Sequence, residues 1–233
     1  MPRAWHRERG AQRRRALLPT LAALVLLVLA GCNEERWYWH QRLTLVVNTP
    51  AGPKAASSVV ACEATRRYGA LWLPEARGMG DGRACQGEAV VLEVAPGRYL
   101  FALLGDPSAF RVFFPGASKE KVVAKLVKLR ETREVPRRFY PVLVTFGDVS
   151  DPKTVMQVDP QDLAASFGPG VSLSAVTLEI TEAPVTTGVV EGVLPQPFFV
   201  EWGRIHKEAL ASGISAPYFQ SLLGKLNRTD FQR

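Results

Sequence analysis

The chain has 233 residues, with 29 Lys and Arg against 22 Asp and Glu and 47% hydrophobic side chains. That hydrophobic share excludes a disordered or collagen-like chain, and the length is enough to bury one core or two. The formal charge of +7 invites a nucleic-acid reading, but the distribution of that charge argues against it.

Six arginines (Arg3, Arg7, Arg9, Arg13, Arg14, Arg15) and one acid, Glu8, fall in the first 15 residues, and residues 16–30 carry no charge. A basic head before a short apolar run is the layout of a secretory signal. Fifteen helical residues reach about 22 Å, short of the ~30 Å hydrocarbon core, which disfavours a permanent transmembrane helix. The run ends in Leu29-Ala30-Gly31-Cys32. These residues resemble the lipobox of bacterial lipoproteins, and the resemblance covers residues 1–32. It implies cleavage between Gly31 and Cys32, loss of 1–31, and acylation of Cys32. Three acyl chains exceed the two signals needed for stable anchoring, at ~0.8 kcal/mol per buried CH₂. By resemblance to enterobacterial lipoproteins, Asn33 in place of Asp implies the outer membrane, with the body facing the periplasm.

Loss of residues 1–31 leaves 23 basic and 21 acidic side chains, a net of +2. Nucleic-acid binding then loses its compositional support. Cys62 and Cys85 remain, with 22 residues between them. In an oxidising compartment they are expected to pair, for about 3 kcal/mol on the chain-entropy estimate.

Residues 32–42 read as a lipidated stem. Its Trp37, Tyr38 and Trp39 either sit at the headgroup layer or cap the core that follows. Residues 43–135 read as a β-rich region. Strands are expected over 43–47, 58–62, 88–94 and 99–104, with Ala95-Pro96-Gly97-Arg98 as a type II turn. A glycine-rich stretch spans 78–82. Ser118 is expected to cap a helix running to about Arg130. Val122, Val123, Leu126 and Val127 line one face of it, and Lys121, Lys125 and Lys128 lie elsewhere. Residues 117–138 carry eight basic and three acidic side chains.

Residues 136–233 read as an α+β region, either a second domain or a continuation of the first. Residues 140–146 alternate as a strand with Val142, Val144 and Phe146 on one face. Asp159-Pro160-Gln161-Asp162 is expected to start a helix. A strand is expected over 176–181. Phe199, Trp202, Ile205 and Leu210 mark one late helix. Phe219, Leu222, Leu223 and Leu226 mark another, capped by Ser215 with Pro217 in its first turn. The fold class is therefore α+β: a β-rich, sandwich-like core with a few short helices. Residues 140–194 resemble a stretch of proteobacterial proteins without an assigned activity. That resemblance implies no catalytic residue.

Chemistry-bearing patterns are sparse. His40 and His206 alone follow the cleavage site, and they are too few for a zinc site or a triad. Ser118-x-x-Lys121 and Ser150-x-x-Lys153 lack the companion motifs of acyl transfer. Asp148, Asp151, Asp159 and Asp162 fall close together, but their flanking prolines mark turns and caps. The expectation is a non-enzymatic scaffold or binding module without cofactor or metal. Its partners are the membrane, through the lipid, and an envelope protein; nucleic acid is excluded. Two alternatives remain: an envelope hydrolase using carboxylates, and a binder of anionic lipid or lipopolysaccharide through Lys121, Lys125 and Lys128.

Overall fold

A computed structural model describes residues 33–68, 78–79, 85–105, 108–213, 218 and 220–233. The signal segment, Gly31, Cys32, Ser215, Pro217 and Phe219 lie outside the described residues. The chain divides into two compact units.

The described part of the first unit is 33–36, 65–68 and 78–79. It holds the beginning of β1 (Asn33–Thr49), the end of β2 (Gly52–Tyr68), and β3 (Gly78–Met79). Arg66 and Arg67 of β2 pair with Met79 and Gly78. Arg66 also meets Glu35, and Arg67 meets Glu34, each at 3.6 Å.

The second unit carries two antiparallel sheets. The first runs β2-β1-β10-β7, with β7 (Thr132–Glu134), β10 (Ser172–Thr181), and β4 (Cys85–Gln86) attached to β2. The second runs β5-β6-β8-β9, with β5 (Val90–Ala95), β6 (Arg98–Ala102), β8 (Leu143–Phe146) and β9 (Val155–Gln157). Strands from both sides of residue 136 share each sheet, so residues 43–135 and 136–233 build one core. The Pro96-Gly97 turn joins β5 to β6 as expected, with Gly97 at φ 70°, where glycine meets no Cβ penalty.

Helices complete the unit: α1 (Ala109–Phe113), α2 (Lys119–Leu126), α3 (Leu163–Phe167), α4 (Val189–Val193), α5 (Gln196–Ala211), α6 (Leu222–Lys225) and α7 (Arg228–Phe231). Phe101 and Phe146 of the second sheet pack against Phe198 and Trp202 of α5 and Phe231 of α7. The alternate side chains Leu100, Ala102 and Leu143 are also buried. They lie on the face turned to the first sheet. A cavity of about 30 Å³ between the sheets is lined by Gln41, Leu43 and Ser58 from one and Val90 and Ala102 from the other. The second sheet is thus the middle of three layers, and β8 is buried on both faces.

Several boundaries differ from the sequence reading. The stem of 32–42 and the strand expected from Leu43 form one strand, β1, which begins at Asn33. It pairs with β10 from His40↔Thr181 onward, so the polar residues of the stem gain ladder hydrogen bonds that no local pattern announces. Trp39 is 8% exposed and meets the Phe110 ring at 5.6 Å, while Tyr38 stays 63% exposed. Val142 does not join the face of Val144 and Phe146; it precedes the strand and is 46% exposed. Ser118 occupies the N-cap position of α2, but its hydroxyl donates to Glu120 Oε2 at 2.8 Å instead of capping the backbone. The helix expected from Asp159 starts later, because Asp159 closes a turn on Gln161 and Asp162 becomes the cap.

Candidate functional site

The most built-up concavity of the second unit begins at a disulfide. Cys62 on β2 and Cys85 on β4 face each other in register, 4.0 Å apart at Cα, and are bonded. The chain then passes close over β2. A Cβ on Gly87 would lie 2.9 Å from Val60 Cγ1 and 3.1 Å from the Val59 carbonyl, at φ 144°. Only glycine allows this approach. Gly87 exchanges both backbone hydrogen bonds with Arg233, at 3.1 and 2.9 Å.

Glu88 comes next and turns inward, 7% exposed. Its carboxylate accepts from the backbone N–H groups of Gly188, Val189 and Val190 at 2.5, 2.8 and 3.0 Å. These are the first donors of α4, which have no partner within the helix. The N-cap residue, Gly188, has no side chain to serve them. A buried carboxylate satisfied by three N–H groups is a charge-assisted cap supplied from a distant segment between β4 and β5. The Ser58 hydroxyl donates to the Glu88 carbonyl at 2.6 Å. Thr186 fastens the neighbouring segment, accepting from Val59 N and donating its own N–H to Val59 O, both at 3.0 Å.

An open groove of about 640 Å³ lies along these segments, lined by Gln86, Thr186, Thr187, Glu191, Arg228 and Gln232, with Glu88 beneath. Arg228 donates to Gln196 Oε1 at 2.7 Å, meets Glu191 at 3.2 Å, and lies over the Phe199 ring. The walls therefore offer hydroxyls, amides and both signs of charge. Chemically this suits a polar ligand held by hydrogen bonds. Among the described residues no group of three His, Cys, Asp or Glu could hold a metal ion.

The residues singled out by sequence are dispersed, apart from the cysteine pair. Asp148 accepts from the Ser150 hydroxyl and N–H at 2.7 and 2.8 Å, and these bonds hold its carboxyl below the usual range. Asp151 accepts from Lys153 N, Asp159 from Gln161 N, and Asp162 from Ala165 N. Each acid serves its own turn or cap. The hydroxyls of Ser118 and Ser150 are committed to Glu120 and Asp148. His40 Nδ1 lies 2.7 Å from the Ala183 carbonyl, and His206 Nε2 lies 3.1 Å from the Leu226 carbonyl. Lys121, Lys125 and Lys128 are exposed on α2 and the residues just after it. Of the acids in 148–191, Glu182 meets Arg130 of the basic segment. Glu179 and Glu191 meet Arg42 and Arg228 instead.

Sequence reasoning missed Glu88, Thr186 and Arg228. One signal existed for Glu88: an acid directly before Ala89-Val90-Val91-Leu92, where full burial demands partners. Thr186 and Arg228 act across the fold and leave no local trace.

No family model, no curated protein and no solved structure matches this chain.

Proposed function

We propose that this is a lipid-anchored bacterial envelope protein, held at the outer membrane through Cys32 and facing the periplasm. It acts as a scaffold or binding module, with the groove beside Glu88 as its ligand seat. The observation that carries the reading is the Cys62–Cys85 bond in a chain whose start resembles a lipoprotein signal. Oxidised cysteines suit an extracytoplasmic compartment. The groove volume of about 640 Å³ falls among those of ligand sites, at roughly 300–1,000 Å³. A binding role is favoured over hydrolysis because each aspartate considered for acid–base work is tied to a turn or a cap.

The test is Cys32→Ser with metabolic labelling by an acyl-chain probe. The variant should lose the label and accumulate as precursor. Label retained on the variant overturns the anchor. For the groove, Thr187→Trp should fill the seat and abolish co-purification of an envelope ligand while leaving the fold intact.

A further inference from the structure

We infer that the exposed face of α2, together with Tyr38, docks on anionic phospholipid headgroups; this rests on the lipid anchor proposed at Cys32. Lys121, Lys125 and Lys128 project from α2 and its C-terminal end, while Val122, Val123 and Leu126 face the core. Among the described residues none of these lysines has a carboxylate partner. The end of this helix is joined to the beginning of the second unit. Tyr38, His40, Val127 and Arg130 line one shallow cleft of about 250 Å³, and Trp39 packs on Phe110 of α1. The Tyr38 ring is 63% exposed there. An exposed tyrosine beside the end of a lysine-bearing helix is a composition favoured at a headgroup layer.

Chain length selects the bilayer over other anionic partners. Tyr38 is six residues beyond Cys32, so the chain between them spans at most about 20 Å. The lipid therefore keeps Tyr38, and with it the cleft at the end of α2, near the membrane. An acidic protein could match the charge, but the lipid brings the bilayer to this end of the chain. The Arg130–Glu182 pair beside the cleft leaves the lysines to set the sign of the surface. Each lysine near an anionic bilayer favours docking roughly fivefold, and screening weakens the effect over ~8 Å at physiological salt.

The test uses the wild-type lipidated protein on vesicles of phosphatidylcholine, with or without phosphatidylglycerol. Lysine acylation is followed by mass spectrometry at low and high salt. With phosphatidylglycerol at low salt, Lys121, Lys125 and Lys128 should react about threefold or more slowly. Exposed Lys153 and Lys207 should keep their rates, and high salt should erase the protection. Equal rates on both vesicles, in protein that floats with them, overturn the docking alone. Failure to float with phosphatidylcholine overturns the anchor and the docking with it. Protection seen only with vesicles carrying lipopolysaccharide overturns the phospholipid assignment.

Discussion

Glu88 and Gly188 are joined by a 2.5 Å hydrogen bond from the Gly188 N–H to the Glu88 carboxylate, and this contact ties the start of α4 to the segment behind the disulfide. Replacing Glu88 by Ala leaves three helix donors without their carboxylate, that of Val190 in a buried site. The expected loss is about 3 kcal/mol, and Glu88→Gln should lose less because an amide oxygen still accepts. Urea denaturation measures both. Amide exchange at Gly188, Val189 and Val190 should accelerate in Glu88→Ala more than exchange in β8. Uniform acceleration would show that the cap has no local role.

The disulfide closes the loop that separates β2 from β4. Cys62→Ser with Cys85→Ser should lower stability by about 3 kcal/mol. Peptide mapping of native material under non-reducing conditions should find the linked pair. Two alkylatable thiols in protein extracted from the envelope would refute the bond.

Trp202 touches Phe146, Phe198 and Phe231, and its Nε1 donates to the Leu223 carbonyl at 3.1 Å. Trp202→Ala should cost about 3–5 kcal/mol through the cavity it leaves. Trp202→Phe keeps most of the packing and should cost less. A thermal melt equal to wild type for the alanine variant would place the core elsewhere.

Asp148 gives a pH-dependent prediction. Its carboxyl is held below the usual aspartate range, first by the Ser150 hydroxyl and then by the Ser150 N–H. A depressed folded-state pKa adds stability above the unfolded value and loses it as pH falls through the folded one. Ser150→Ala should therefore raise the Asp148 titration midpoint toward 3.8, read from its carboxyl chemical shift. Any stability difference should be present at neutral pH and close in acid.

Reversal of Lys121, Lys125 and Lys128 to Glu removes no ion pair seen among the described residues. Stability should move by less than about 1 kcal/mol. A large fall in melting temperature would mean that these lysines hold the fold together.

The legible parts of this protein were those written in local pattern. Pro96-Gly97 announces a turn through proline's fixed φ and glycine's access to positive φ. The aromatic spacing of Phe199 and Trp202 announces α5. Cysteine arithmetic pointed to Cys62 and Cys85 as partners, and the two are bonded. Tertiary structure alone decided that residues 40–42 join the first sheet, since their ladder partners on β10 lie more than a hundred residues away. It alone decided that β8 is buried on both faces, because burial depends on which layers enclose a strand. It alone brought Glu88, Thr186 and Arg228 to one groove. Hydrogen bonds between distant segments follow from how sheets and helices stack, and no sequence period records them.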